Sequence, residues 1–232
     1  MNIFQFLKDI LWPKKCYSCH QEAYFLCPDC YDKIWSFSQI CPVCKEQSRD
    51  FEVHFYCKNK FVYYDKIIIL THYKNKVIKK LITDAKFHHK KDILEDFAVY
   101  LWNKLFCHID EKPQDIILIP TPIYFWKKLS RWYNQSEILA KNIWEMFHIE
   151  YNFKMIKKIK KTQAQSHLSK IERQENLQWS LIMKSKIGEN LKQKTFIIVD
   201  DVFSTWTTIN EMAKLLKQKW VKKVYGLCIA SD

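Results

Sequence analysis

Two groups of residues in this chain are of types and at spacings that could do chemistry. The first is the run Ile197-Ile198-Val199-Asp200-Asp201-Val202-Phe203-Ser204-Thr205-Trp206-Thr207-Thr208. It reads as a buried strand that delivers two carboxylates at its C-terminal end, then a short hydroxyl-rich loop, then a helix. That arrangement suits a sugar phosphate. Backbone N–H groups at a helix start, together with the Ser and Thr hydroxyls, hold a phosphate. Asp200 and Asp201 are placed for ribose hydroxyls, or for a metal ion held by them. A single Asp capping the helix would be the plainer reading. It leaves the second carboxylate and the hydroxyl run unused.

The second group is cysteine. Cys16-x2-Cys19, Cys27-x2-Cys30 and Cys41-x2-Cys44 are followed by a lone Cys57, so seven of nine cysteines fall in the first 57 residues. Each x2 spacing lets one turn present two thiolates to a tetrahedral Zn²⁺. In a chain expected to be cytoplasmic, such cysteines are expected to be metal ligands rather than disulfides. Cys16, Cys19, Cys27 and Cys30 could form one site. Cys41, Cys44 and Cys57 lack an obvious fourth partner. Lys60 stands where a last knuckle would be completed, and His54 or His20 could substitute. The sequence leaves open a degraded second site and an interleaved pairing of the knuckles. Cys107 and Cys228 read as core residues.

These residues need elements to position them. After a boundary near residue 60, short apolar runs alternate with amphipathic stretches. Strands are expected at 66–70, 115–119, 195–199 and 223–228, and helices at 74–85, 90–106, 134–148 and 207–218. Continuous apolar strands alternating with helices imply a parallel sheet covered on both faces. Ligands then bind outside the carboxyl ends of the strands. The stretch 154–194 carries eleven Lys or Arg against three Glu and reads as a mobile basic loop.

Composition narrows the function classes. The chain has 232 residues, 48% hydrophobic and 16% aromatic, which excludes a disordered chain and allows a sizeable core. No apolar run reaches the ~20 residues of a membrane span. The opening MNIFQFLKDILW has neither a basic n-region nor a small-residue cleavage site, so a cytoplasmic protein is expected. The net charge of +13 points to an anionic partner, or to a lysine-rich solvated surface.

The motifs together resemble the ComF family of competence proteins, which couple a cysteine-rich zinc-ribbon module to a type I phosphoribosyltransferase-like domain. The resemblance runs through Ala85-Lys86-Phe87, Pro120-Thr121-Pro122 and Arg131-Trp132-Tyr133-Asn134-Gln135. It continues through Thr162, Gln165, Leu168, Arg173 and Asn176 to the acidic pair. It implies an N-terminal double zinc ribbon in 1–60 and a phosphoribosyltransferase-like parallel α/β domain in 61–232. It implies that Asp200 and Asp201 contact the ribose of phosphoribosyl pyrophosphate (PRPP), with Mg²⁺. Ser204, Thr205, Trp206, Thr207 and Thr208 then line the 5′-phosphate, and Lys127, Lys128 and Arg131 are candidates for the pyrophosphate. The loop carrying Thr162, Gln165 and Arg173 would close over the ligand. The implied role is in natural transformation, with single-stranded DNA and the DNA-uptake machinery as partners. Whether the domain turns PRPP over, only binds it or nucleic acid, or is a salvage transferase with a zinc appendage stays open.

The chain departs from that family at glycine. It has two Gly and nine Trp. Trp132, Trp179 and Trp206 stand where the family has Gly, and Trp220 stands where a helix would end on Gly. The reading is that these four codons are UGA, decoded as glycine in the cell. The rival is that tryptophan is real and blocks the phosphate loop of a non-catalytic relic.

Overall fold

The computed structural model describes residues 13–34, 39–58, 62–88, 90–124, 132–159, 180–203 and 207–231. Among the described residues the first helix is α1 (Pro28–Ile34). Strand β1 (Lys66–His72) precedes helices α2 (Lys76–Phe87) and α3 (Ile93–Phe106). Then come β2 (Ile116–Pro120), helix α4 (Gln135–Phe147) and β3 (Glu150–Tyr151). Strands β4 (Ile156–Lys158) and β5 (Leu181–Met183) precede the short helix α5 (Glu189–Lys192). The chain closes with β6 (Thr195–Phe203), α6 (Thr207–Lys217) and β7 (Lys223–Ser231).

Five strands form a parallel sheet in the order β1-β7-β6-β2-β3. Their apolar runs are buried almost residue by residue, as a sheet covered on both faces requires. Helices α3 and α4 pack against each other and across the strands, and α6 packs on β6 and β7. Gly226 in β7 makes the last contact close: a Cβ there would stand 3.3 Å from Ile209 Cδ1 of α6 and from Ile67 Cγ1 of β1. This is the flanked parallel α/β class expected from the pattern of strands and helices. No described helix is long and apolar enough to cross a membrane.

Two expectations need correction. The stretch 154–194 is not loop throughout: β4 and β5 pair antiparallel, Ile156 opposite Met183, and α5 follows. The apolar signal for β4 is a single buried residue, Ile156, among lysines, too little for periodicity to register. Strand β6 also does not stop at the acidic pair. It runs on to Phe203 against β7, with Asp200 opposite Cys228, whereas β2 ends with Pro120 opposite Val199. The carboxylates therefore lie on strand that has lost its neighbour on one side.

The cysteine-rich module sits against α2, α3 and the start of the sheet. Asp96 on α3 accepts from the backbone N–H groups of Phe25 (2.8 Å) and Leu26 (3.3 Å), and Tyr100 donates to the Leu26 carbonyl at 2.6 Å. The rings of Tyr31 and Tyr100 stack 3.8 Å apart. Tyr17 donates to Asp84 on α2 at 2.6 Å, and Lys90 bonds both. Farther along, the Val53 N–H donates to Asp65 at 2.9 Å, and Asp50 pairs with His108 at 2.9 Å.

Candidate functional site

The chain leaves β2 through α4 towards β3, and leaves β6 through α6 towards β7 on the other side. The carboxyl ends of β2 and β6 therefore flank the topological switch point, where open α/β sheets bind ligands. Asp200 and Thr121 face each other there. The hydroxyls of Thr121 and Ser136 lie 2.8 and 3.0 Å from Asp200 Oδ1 and 2.7 Å from one another. The Asp201 N–H donates to the same oxygen at 2.9 Å. Burial, then the charge of Asp201, pushes the Asp200 carboxyl up to about 6. Asp201 forms an ion pair with Lys86 at 3.0 Å, both side chains largely buried.

Three sequence motifs thus meet at one point. Asn134 caps α4, accepting from the Ser136 N–H at 3.2 Å, and its Nδ2 donates to the Thr121 carbonyl at 2.9 Å. That cap places the Ser136 hydroxyl against Asp200. The Tyr133 hydroxyl donates to the Ala85 carbonyl, tying the Arg131–Gln135 motif to the residue before Lys86. Lys86, Thr121 and Ser136 were not singled out as site residues from the sequence. Lys86 and Thr121 lie inside the short motifs, but only the sheet order brings them to the acidic pair.

The other expected site residues either open α6 or are not described. Thr207 and Thr208 begin α6, immediately beyond the loop that follows β6. Ser204, Thr205, Trp206, Lys127, Lys128, Arg131, Thr162, Gln165 and Arg173 lie outside the described residues, as does Trp179. Trp132 and Trp220 are described, and both take left-handed backbone, φ 67° and 64°. Both indoles are also exposed, at 80% and 79%. Trp102 is different: it lies within α3, is buried, and stacks on Phe147 at 4.8 Å.

The cysteines form two clusters, in each of which the ligand atoms lie within 4.8 Å of one another. One is Cys16, Cys19, Cys27 and Cys30; the other is Cys41, Cys44, His54 and Cys57. The pairing is sequential rather than interleaved, and the fourth donor of the second cluster is His54. Its Nδ1 stands 3.3 Å from Cys44 Sγ, and its Nε2 stands 3.0 Å from the Gln47 carbonyl, which can hold the ring with Nδ1 towards the thiols. His20 is not a ligand. It is the residue after the first knuckle, in left-handed conformation (φ 65°) with its N–H donating to Cys16 O, and Lys45 (φ 66°) repeats the geometry on Cys41.

The knuckle expectation holds at Cys16–Cys19 and Cys41–Cys44. Cys27 and Cys30 instead use a helix: Pro28 starts α1, so Cys30 follows one turn after Cys27. The donor sets fit a metal ion. Tetrahedral Zn–S bonds of about 2.3 Å give sulfur–sulfur edges of about 3.8 Å, and Cys19 and Cys27 stand 3.6 Å apart. Burial raises the Cys16 thiol, but backbone N–H groups of Cys19, Cys27 and Ser18 outweigh it and bring it down to about 6. Cys27 beside it is pushed up to about 12, first by burial.

Two four-donor clusters that could hold a metal ion, docked on a parallel α/β sheet with an acidic pair at its switch point, define the class. No protein-family model matches the chain. Over 241 aligned residues it is 28% identical to Competence protein F of Haemophilus influenzae, covering 99% of this chain and all of that one, and it is a homologue of that protein. It is also 26% identical over 112 residues to DNA utilization protein YhgH of Escherichia coli O157:H7, covering 48% of each chain. Among solved structures, a hypoxanthine phosphoribosyltransferase from Staphylococcus aureus aligns with TM-score 0.37 and 13% identity, over 61% of this chain and 65% of that one.

Proposed function

We propose that the chain binds PRPP or a related phosphoribosyl compound, with Mg²⁺, and serves the handling of single-stranded DNA during natural transformation in the cytoplasm. Residues 1–60 are the zinc-ribbon module of this reading and 61–232 its phosphoribosyl unit. The observation that carries it is the acidic pair at the switch point, one carboxylate braced by Thr121 and Ser136 and the other paired with Lys86. The names of the relatives support the competence role.

Asp200 is held in place by hydroxyls, so it presents a fixed oxygen to ribose hydroxyls. Asp201 shares Lys86, a cation that a phosphoribosyl ligand can recruit when it approaches. The start of α6, with Thr207 and Thr208, offers N–H groups to the 5′-phosphate. Asp200 and Asp201 would hold Mg²⁺, which would offset the charge of the leaving group. The two cysteine clusters hold structural Zn²⁺.

Titration calorimetry with PRPP and Mg²⁺ tests the reading. Binding is expected, and Asp201→Asn should weaken it at least 10-fold while leaving the melting temperature within a few degrees. No heat from the wild-type chain would overturn the proposal. Release of pyrophosphate only when a nucleobase is added would identify a transferase; tight binding without release would identify a sensor.

A further inference from the structure

The second cysteine cluster draws its donors from two stretches of chain, Cys41 and Cys44 on one and His54 and Cys57 on the other. The turn that joins them is bent against its own side chains. Asp50 and Phe51 are consecutive, and both take left-handed backbone, φ 49° and 61°. A residue with a Cβ pays for that conformation and keeps it only where the surroundings enforce it.

Side chains from outside the cysteine module enforce it. His108, just past α3, places Nδ1 2.9 Å from Asp50 Oδ1, and its side chain is only 10% exposed. An ionised carboxylate can only accept, so Nδ1 carries the proton. That bond, more than any other contact, holds the Asp50 carboxyl below its ordinary value. The rings of His108 and Phe51 meet edge to face, centroids 5.1 Å apart, and Lys104 Nζ stands 5.2 Å from the Phe51 ring centre. Lys66, at the start of β1, donates to the His108 carbonyl at 3.0 Å and pairs with Glu52 at 3.7 Å. Phe51 is fully buried among them.

The turn passes this hold to a metal ligand. The Asp50 N–H donates to Gln39 Oε1 at 3.0 Å, and the Ser48 N–H donates to the Gln39 carbonyl at 2.9 Å. The Ser48 hydroxyl closes the turn on the Glu52 carbonyl at 2.7 Å. Gln47, next to Ser48, carries the carbonyl that meets His54 Nε2. A ligating histidine is aimed by the partner of its other ring nitrogen, and loss of such support weakens metal binding.

We infer that His108 is a positioning residue for the second metal site. Through Asp50 it fixes the turn whose Gln47 carbonyl aims His54, so a residue outside the cysteine module sets how tightly that site holds its ion. The inference rests on the second cluster holding metal and is independent of the phosphoribosyl reading.

The full chain, produced with cobalt in place of zinc and titrated with a chelator, tests it. Tetrahedral Co²⁺ absorbs differently with four thiolates than with three thiolates and an imidazole, so the two sites are followed separately. His108→Ala should make the second site release its ion about 10-fold more readily and leave the first unchanged. His108→Asn, whose amide N–H can still reach Asp50, should recover most of the loss. Asp50→Ala combined with His108→Ala should cost no more than either alone, because both remove one contact. Equal loosening of both sites would show a merely structural residue and overturn the inference. So would a second site unchanged in His108→Ala, or His108→Asn as weak as His108→Ala. An unaltered chain with the four-thiolate spectrum alone would overturn the second metal site itself, and this inference with it. Calorimetry with PRPP is a separate measurement, and its failure would leave the role of His108 standing.

Discussion

At the scale of single residues, the tryptophans divide by backbone. Trp132 and Trp220 combine positive φ with a largely exposed indole, at positions where the backbone favours glycine. Trp132→Gly and Trp220→Gly should each stabilise the chain by about 1 kcal/mol in urea unfolding. Trp102→Gly should instead cost about 3 kcal/mol or more, by emptying a packed site inside α3. TGA codons at 132 and 220 with TGG at 102 would match; TGG at all three would end the recoding account. Asp200 permits a second residue-level prediction. Its carboxyl binds a proton more tightly in the folded chain, about 6 against an ordinary 3.8. The stability this contributes is present below the ordinary value and is lost as pH rises through about 6. Asp200→Asn should therefore raise stability at pH 7.5, in metal-free buffer, by on the order of 2 kcal/mol, and have little effect near pH 4. A gain equal at both pH values would remove burial and Asp201 as its cause.

At the scale of elements, the site depends on where helices begin and strands end. Asn134 starts α4 and also grips the Thr121 carbonyl, so one side chain sets the distance between α4 and the end of β2. Asn134→Ala should cost about 2 kcal/mol, a lost cap and a lost buried hydrogen bond, and weaken PRPP binding. Asn134→Asp keeps the cap but not the donor and should fall between; a full loss with Asp would show that the bond to Thr121 dominates. The main strands and helices were legible because each carries a long apolar run or a clear helical period, as in Ile116–Ile119 or Ile78, Leu81 and Ile82. Strand β3, of two residues, and the lysine-bearing hairpin β4–β5 were not, since their pairing is decided by neighbours distant in sequence. The same applies to the site. Asp200 and Asp201 announced themselves by type and spacing. Lys86 and Ser136 reach them only because β6 is central and α4 crosses behind β2. His54 was one of two histidines that could close the second cluster, and the fold chose it through Gln47.

At the scale of the whole molecule, the cysteine module and the sheet share a core. The two clusters should carry two zinc ions per chain by elemental analysis, and His54→Ala should reduce the second site selectively. One zinc in the unaltered chain would show that only one cluster is metallated. Phe25 and Leu26 surround the same small gap as Leu81, Ile93 and Phe97, and their N–H groups are hydrogen-bond donors to Asp96, whose carboxyl burial pushes upward. The module is therefore no interchangeable cassette. Cutting it away would leave α3 with a naked apolar flank and a buried acid stripped of two donors, so a truncated sheet domain would tend to clump. Transplanted alone, the module would lose the wall that holds its loops.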